Sequence, residues 1–156
     1  MLKSNISLDK DFLIIGWNER TKRIIETLSK VKTDLEICII DNTLEERPIE
    51  SKMVDFIFGN PMHDDTFEKV KNIDLIGTAI VTADRHSTSE IDSDTRSIIS
   101  VLAIKSLNPS IFCIVEILTT SQLLNATRAG ANKIVNSSDI IANAVVKEIK
   151  SGKYQN

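Results

Sequence analysis

The sequence predicts an α/β protein with one doubly wound parallel sheet of six strands. Short apolar runs without alternation recur along the chain, and such runs are typical of strands that are buried on both faces of a sheet. Helical patterns separate these runs, as the crossovers between parallel strands require. The 156 residues are 42% apolar and 26% charged, which indicates one globular domain with a substantial core.

The first half of the chain is predicted to contain three strands and two helices. The first apolar run ends abruptly at Gly16, and the residues after it place their apolar side chains on one helical stripe. Pro48 lies between the second and third strands, where it excludes a helix interior and indicates a turn. The predicted elements are strand 12–15, helix 20–32, strand 35–40, strand 54–58 and helix 63–72.

The second half is predicted to contain three more strands, three helices and one long loop. Residues 84–94 are polar and acidic, which predicts a solvated loop, and Asp92 or Asp94 is expected to cap the next helix. The apolar residues of helices 94–107 and 137–150 spread around the whole circumference, so each helix needs a covering neighbour. The predicted elements are strand 77–83, loop 84–94, helix 94–107, strand 111–115, helix 121–129, strand 133–136 and helix 137–150.

Strands that alternate with helices in this way predict a Rossmann-like sheet in the order 3-2-1-4-5-6, followed by a C-terminal crossover helix. We divide the chain into a lead-in or linker at 1–10, a lobe at 11–136, and the crossover helix with its tail at 137–156. Such sheets bind ligands at the carboxyl ends of their strands. The candidate binding residues at this edge are Gly16, Trp17, Asn18, Asp41, Asn60, Ala83, Asp84 and Glu116.

The turn at Gly16 partly matches the glycine fingerprint of dinucleotide-binding folds. Gly16 takes the place of the first glycine, but Asn18 and Thr21 stand where the second and third would fall. Asp41 follows the second strand, where an acid can accept hydrogen bonds from a ribose, at 41 − 16 = 25 positions beyond Gly16 against roughly 20 in the fingerprint. Two interpretations stay open: a nucleotide site, or a turn that needs one glycine and binds nothing.

Charge and hydropathy argue against several other classes of protein. The net charge of −3 and the pI near 5.4 argue against a nucleic-acid partner, which usually requires a basic surface. No apolar run approaches the ~18 residues of a membrane span, and the first residues lack the hydrophobic core of a signal peptide, so we expect a cytosolic domain. Cys38 and Cys113 lie in strand-like runs, where a thiol behaves as a small hydrophobe.

The sequence offers no evident catalytic or metal-binding group. His63 and His86 lie in polar segments without a cysteine or serine partner. The acidic loop 84–94 lacks the central glycine and the twelve-residue spacing of a calcium loop. A dehydrogenase would also need a second region to hold its substrate. We therefore interpret the chain as a sensor or assembly module rather than an enzyme, and an NAD-dependent oxidoreductase or epimerase fragment is the alternative.

Four motifs carry a resemblance to a known family. They are Phe12-Leu-Ile-Ile-Gly-Trp-Asn-Glu, Phe58-Gly-Asn-Pro, Ala79-Ile-Val and Ala129-Gly-Ala-Asn-Lys-Ile-Val. From about Asp11 to Lys150 the chain resembles the RCK domain (regulator of potassium conductance), also described as the TrkA N-terminal domain. The resemblance implies a cytoplasmic regulatory domain of a potassium channel, at the inner face of the membrane, which senses a ligand and couples it to potassium transport.

The resemblance also implies how such a domain assembles. Its partners would be the pore domain of the channel and further copies of the chain, as a homodimer or a higher gating ring such as an octamer. The contacts between copies would lie on the helices near 94–107, 121–129 and 137–150. The family commonly continues past the crossover helix into a smaller lobe, so the chain is also interpreted as a fragment of a longer protein.

The same resemblance bears on the ligand. A glycine followed by tryptophan and a polar residue is more similar to channel-type members than to transporter-type (Trk/Ktr) potassium uptake subunits, which usually keep three glycines and bind adenine nucleotides or NAD. The sequence leaves the identity of the ligand open; an adenine nucleotide or NAD(H) is the candidate, and a transporter-type subunit stays an alternative. Calcium-gated members carry one carboxylate at the end of the fourth strand and two on the fifth. This chain has Thr82, Glu116 and Leu118 there, so calcium is not expected.

Overall fold

The computed structural model describes residues 11–152 as a six-stranded parallel sheet flanked by helices. The strands are β1 (Phe12–Ile15), β2 (Ile37–Asp41), β3 (Val54–Phe58), β4 (Thr78–Val81), β5 (Phe112–Glu116) and β6 (Lys133–Val135). Their order is β3-β2-β1-β4-β5-β6, which confirms the predicted sheet. The predicted lead-in at 1–10 and the last residues of the tail, 153–156, lie outside the described residues.

β1 lies at the centre of the sheet because its side chains are apolar on both faces. Leu13 pairs with Cys38 of β2 on one side and with Ala79 of β4 on the other. Leu13 and Ile14 point to opposite faces, and both are fully buried. All the strand pairs are parallel, so the residues that follow the strands, beginning with Gly16, meet at one edge of the sheet.

Helices cover the sheet on both faces. They are α1 (Glu19–Val31), α2 (Asp64–Phe67), α3 (Glu90–Leu107), α4 (Leu123–Arg128) and α5 (Ser137–Lys150). One apolar cluster packs Phe67, Ile104 and Ala126, from α2, α3 and α4, against one face. A second cluster packs Ile25 of α1 against Ile39 on the opposite face. Within residues 11–152, none of the helices combines the length and the apolar character that crossing a membrane requires.

The helix predicted at 63–72 is wrong in extent, because only Asp64–Phe67 is α-helical. The amides of Lys69 and Val70 bond to carbonyls three residues earlier, which makes tight turns rather than a continued α-helix. Asn72 then takes a left-handed backbone with φ +52°, which ends the segment. Val70 and Phe67 are both buried, because tight turns and helices both place residues three apart on one side.

The loop predicted at 84–94 is shorter than expected, because α3 begins at Glu90. The Ser89 hydroxyl oxygen accepts a hydrogen bond from the Asp92 amide at 3.1 Å and so caps the helix. The prediction that Asp92 or Asp94 caps it is therefore wrong. Residues 90–93 contain one apolar side chain, so apolar periodicity could not reveal this first turn.

Asp94 is a buried acid within α3 rather than a capping residue. Its carboxylate accepts hydrogen bonds from the amides of Leu118 and Thr119 at 2.8 and 2.9 Å, and from the Thr119 hydroxyl at 2.7 Å. These contacts satisfy donors in the segment after β5 that would otherwise be left without a protein acceptor. Asp94 therefore fixes this segment to α3.

Two helices expose apolar surface, as the sequence predicts for a domain without its neighbours. On α3, Val101 and Ile104 are buried, whereas Leu102 keeps 51% of its surface exposed. No residue of α5 is buried, and Ile141 is 64% exposed. Large exposed apolar side chains on α5 are Ile140, Ile141, Val145, Val146 and Ile149. Contiguous apolar patches of this kind are typical of interaction surfaces.

Replacing Asp94 by Asn should destabilise the protein by about 2 kcal/mol, because an amide group brings a donor into a site that needs three acceptor contacts. The matched control is Asp92→Asn, which alters a surface ion pair with Arg96 on the same helix. It should change the free energy of unfolding by about 0.5 kcal/mol or less. Urea denaturation measures both variants. Equal stability of the Asp94→Asn variant and the wild type would contradict the structural role of this carboxylate.

Candidate functional site

The Gly16 turn joins β1 to α1 through a backbone conformation that favours glycine. Its φ is +94°, in the left-handed region. A Cβ atom here would lie 2.5 Å from the Thr82 hydroxyl oxygen, which is closer than van der Waals contact allows. That hydroxyl donates to the Ile15 carbonyl at 2.8 Å, so moving it aside would break a buried hydrogen bond. Local geometry therefore requires the first glycine of the fingerprint.

Asn18 and Thr21, which replace the other fingerprint glycines, close the turn from within. Asn18 Oδ1 accepts hydrogen bonds from the Arg20 and Thr21 amides at 3.0 and 3.1 Å and caps α1. The Asn18 side-chain nitrogen donates to Thr82 Oγ1 at 2.9 Å. Thr21 is fully buried, and its hydroxyl donates to the Gly16 carbonyl at 2.7 Å. The Asn18 side chain therefore binds amides at the start of α1 that could otherwise donate to a bound phosphate.

The start of α1 still offers two backbone N–H groups to a ligand. The Trp17 amide donates to Asp41 Oδ2 at 2.7 Å, and Asn18 already binds two amides of the first helical turn. Among residues 11–152, no acceptor bonds to the amides of Asn18 and Glu19. An anion can therefore bind here through two donors, where an uncapped helix would present four.

Asp41 anchors the turn through most of its hydrogen-bonding capacity. Its Oδ1 accepts from the amide and the hydroxyl of Thr43, each at 2.6 Å, and from the Leu44 amide at 3.2 Å. Its Oδ2 accepts from the Trp17 amide, so one carboxylate holds the Gly16 turn to the segment after β2. Since a carboxylate oxygen accepts about two hydrogen bonds, Oδ2 is the atom that can bind a further donor.

A cleft of about 220 Å³ opens at the carboxyl edge of the sheet, beside the Gly16 turn. The topology brings seven of the eight predicted binding residues to its lining. They are Gly16, Trp17, Asn18, Asp41, Asn60, Ala83 and Asp84. Their contact with a ligand stays a prediction. Met62, Ser97 and Ser100 also line the cleft, although no sequence pattern indicates them.

Two of these lining residues use side-chain oxygens to shape the rim of the cleft. Asn60 Oδ1 accepts from the Met62 amide at 3.0 Å. Asp84 accepts from the His86 amide at 2.9 Å and from the Ser87 hydroxyl at 3.2 Å. Side chains that bind their own backbone two residues on are typical of tight turns. The polar residues after β3 and β4 thus hold the walls of the cleft in place.

Glu116, the eighth predicted residue, does not line this cleft but a neighbouring cavity, together with Arg20, Ser137 and Ile141. Its Oε2 accepts from the Ala83 amide at 3.0 Å and from Arg20 Nε at 2.8 Å. Its Oε1 lies 3.4 Å from Arg85 Nη2. The carboxylate is buried, and its three partners connect it to the segment after β4 and to the first turn of α1. A direct contact between Glu116 and a ligand stays a prediction.

Three arginines, which the sequence analysis did not single out, bring positive charge to the cleft. Arg20, Arg85 and Arg96 all line it. Arg85 lies in the segment that follows β4, and this position could have indicated it, because the residues after parallel strands lie at the carboxyl edge. Arg96 reaches the cleft from α3, and no sequence pattern indicates which face of that helix meets the edge.

Two observations on the described residues argue against a reactive cysteine and against a metal-binding cluster. Burial raises the pKa of the Cys113 thiol to about 11, so the reactive thiolate is scarce at neutral pH. No group of three or more His, Cys, Asp or Glu side chains in the described part of the chain could hold a metal ion. His86 lies on the exposed rim of the cleft, where its backbone amide binds Asp84.

Residues 12–137 match the family described as the TrkA-N domain, and this match spans most of the chain. The chain belongs to the TrkA-N domain family. This result confirms the resemblance that the motifs around Gly16 and Gly130 indicate. A Bacillus subtilis (strain 168) protein named as a candidate potassium channel, YugO, is 37% identical over 148 residues. The match covers 92% of this TrkA-N domain and 44% of YugO, so the chain spans less than half the length of that relative.

Solved structures share the fold of this TrkA-N domain. The NAD(P)-binding domain of an exopolyphosphatase-related protein from Archaeoglobus fulgidus has a TM-score of 0.72 at 16% identity, and the match covers 91% of this chain and 98% of that one. The GsuK channel bound to NAD has a TM-score of 0.66 at 15% identity, over 83% of this chain and 22% of the channel chain. At these identities the likeness concerns the fold alone.

Replacing Gly16 by Ala should lower the free energy of unfolding by about 2 kcal/mol or more, because it adds a left-handed backbone penalty to a steric clash with Thr82. Gly77→Ala is the matched control, since a Cβ there meets nothing within 4 Å. The control should be neutral or slightly stabilising. Chemical denaturation compares the two variants. A Gly16→Ala variant as stable as Gly77→Ala would show that the turn tolerates a side chain.

Proposed function

We propose that this TrkA-N domain is the ligand-sensing lobe of a gating-ring domain of a potassium channel, in the cytoplasm at the inner face of the membrane. It binds an adenine nucleotide or NAD(H) at the carboxyl edge of its sheet and transmits this event to a pore domain. The relationship to YugO, which is named as a candidate potassium channel, supports the proposal. The shared fold with the GsuK channel bound to NAD is consistent with it.

The observation that carries the proposal is the convergence of anion-binding groups beside Gly16. The amides of Asn18 and Glu19 lie at the positive end of α1, which favours a phosphate group. Arg20 and Arg85 border the same cleft, and a guanidinium group binds phosphate oxygens through paired hydrogen bonds. Backbone donors and cations together can balance the charge of one phosphate group.

The remaining parts of a nucleotide also find partners in the cleft. A ribose hydroxyl can donate to Asp41 Oδ2, which accepts one hydrogen bond from the protein. The apolar side chains of Ile40, Pro61 and Met62 line the cleft and offer a surface to the adenine ring. These groups follow β1, β2 and β3 in the order in which a nucleotide crosses the edge of a doubly wound sheet.

The cleft geometry favours one phosphate over a pyrophosphate. The second glycine of the fingerprint allows the backbone to approach a pyrophosphate closely, and the third allows close packing of helix against strand; this chain has Asn18 and Thr21 in their places. Asn18 also accepts hydrogen bonds from two amides of the first helical turn. A bound dinucleotide would therefore depend more on the arginines here than in a protein with the complete fingerprint. We therefore expect AMP to bind at least as tightly as NAD.

The exposed apolar faces of α3 and α5 fit a role in assembly. Leu102 and Ile141 are more than half exposed, and burying large apolar side chains is the main driving force of obligate interfaces. We propose that these helices, with residues 121–129, join copies of the chain into a homodimer or a higher ring such as an octamer. A ligand then changes gating through its different affinities for two arrangements of the ring.

Ligand binding should appear as thermal stabilisation at fixed protein concentration, in a panel of AMP, ADP, ATP, NAD, NADH, cyclic di-AMP, calcium and magnesium. A nucleotide at about 100 times its Kd should add about 2.7 kcal/mol to the free energy of unfolding, whereas calcium should add nothing. Asn42→Trp places a large side chain at the exposed mouth of the cleft and should abolish the shift.

The control for this panel is Lys22→Trp, which adds the same side chain to exposed α1 surface outside the cleft lining. It should keep the full nucleotide shift. Asp41→Ala is unsuitable as a test, because that carboxylate also holds Trp17 and Thr43. A panel in which no nucleotide stabilises the wild type would contradict the sensing role.

Replacing Ile141 or Leu102 by Asp should convert the assembled protein to monomers, because a charge would be buried without a partner in the interface. Asn143→Asp adds the same charge to α5 without removing an apolar side chain, and it should leave assembly largely unchanged. Light scattering coupled to size-exclusion chromatography measures the mass of each variant. A wild-type chain that is monomeric at high concentration would exclude these surfaces as subunit contacts.

A further inference from the structure

Arg85 connects the cleft to the first turn of α5. Arg85 is one of the residues that line the cleft, and its Nη2 atom lies 3.4 Å from Glu116 Oε1 and 3.2 Å from the Ser137 hydroxyl oxygen. Ser137 is the first residue of α5, the helix that has no buried residue. One cationic residue of the cleft lining therefore contacts both the buried carboxylate of Glu116 and the first residue of α5.

Arg20 and Arg85 share Glu116, but the protein holds them differently. Arg20 makes two short contacts, at 2.8 Å to Glu116 and at 2.7 Å to the Ala83 carbonyl, and its side chain is 33% exposed. Both contacts of Arg85 are longer, and its side chain is 54% exposed. Long and solvated contacts contribute little to stability. Arg85 is therefore the cation that can move at little cost.

Glu116 keeps its partners when Arg85 moves. Its Oε2 atom stays bound to Arg20 and to the Ala83 amide, at 2.8 and 3.0 Å. A buried carboxylate left without a partner would strongly oppose such a movement. Here that penalty is absent, because the Arg20 contact persists.

The shared carboxylate also places Arg85 near the phosphate position. Arg20 belongs to the first turn of α1, where the amides of Asn18 and Glu19 are available to an anion. The guanidinium groups of Arg20 and Arg85 both contact Glu116, and Arg85 lines the same cleft as this turn. A phosphate held there would offer Arg85 two charged oxygens in place of two long contacts.

We propose that Arg85 binds the phosphate group of the nucleotide and leaves Glu116 and Ser137 to do so, so that ligand binding releases the first turn of α5. This inference rests on the proposed nucleotide-binding function. It adds that Arg85 is the side chain that recognises the phosphate group, and that its movement transmits binding to α5. Because the phosphate and Ser137 compete for one guanidinium group, each weakens the binding of the other by the same factor.

Titration calorimetry of the 156-residue chain with adenosine and with AMP tests the phosphate contact. Arg85→Gln should weaken AMP binding by about tenfold or more and leave adenosine binding unchanged, because only AMP carries the phosphate. Arg23→Gln removes the same charge from an exposed position on α1 outside the cleft lining and should change neither affinity. An Arg85→Gln variant that binds AMP as tightly as the wild type, or loses both ligands equally, overturns the assignment.

Ser137→Ala tests the competition with α5. The variant removes one of the two contacts that Arg85 must break, so AMP should bind about two- to tenfold more tightly. The cap of α5 stays intact, because Asn136 Oδ1 accepts from the Asp139 amide. Ser138→Ala, at the exposed neighbouring position, should leave the affinity unchanged. An unaltered AMP affinity in Ser137→Ala overturns the release of α5.

The outcomes also separate this inference from the proposed function. A wild-type chain that binds neither adenosine, AMP nor NAD contradicts nucleotide sensing and removes the inference with it. A wild-type chain that binds AMP, while the Arg85 and Ser137 variants bind it equally well, keeps the sensing function and overturns the inference alone.

Discussion

The close contact between Gly16 and Thr82 is the constraint on which the carboxyl edge of the sheet depends. The Thr82 hydroxyl occupies the space that a Cβ of residue 16 would fill, and it bonds to the Ile15 carbonyl. The left-handed turn at Gly16 then directs the chain into α1, and the carboxylate of Asp41 holds that turn to the neighbouring strand. Without this turn, α1 could not begin at the edge, and the cleft would lose its wall.

The replacement of two fingerprint glycines changes how the edge can bind a ligand. A complete fingerprint leaves the helix start open, so that a phosphate satisfies its amides. In this chain Asn18 satisfies two of them and also bonds to Thr82. The turn is therefore stable without a ligand, and the positive charge for an anion must come from side chains such as Arg20 and Arg85. For the proposed nucleotide site, this arrangement predicts reversible binding rather than permanent retention of a cofactor.

The sheet order and the edge residues could be predicted because apolar runs and turn residues are local signals. The true end of the helix predicted at 63–72 could not be predicted, because the tight turns that follow it, up to left-handed Asn72, keep the same three-residue apolar spacing. The buried role of Asp94 could not be predicted either, because it depends on hydrogen bonds from amides about 25 positions away in the sequence. Arg20 and Arg96 were missed for a related reason, since a cation on a helix looks the same in the sequence whether it faces solvent or a cleft.

Amide resonances of the ¹⁵N-labelled chain, followed by NMR during titration with AMP, test the central claim most directly. If the edge beside Gly16 is a nucleotide-sensing cleft, the amides of Asn18 and Glu19 should shift most, because they lie at the start of α1 and no acceptor among residues 11–152 bonds to them. The Trp17 amide, which is bound to Asp41, should shift less. Shifts confined to residues outside the cleft, or no shift at saturating AMP, would contradict the account.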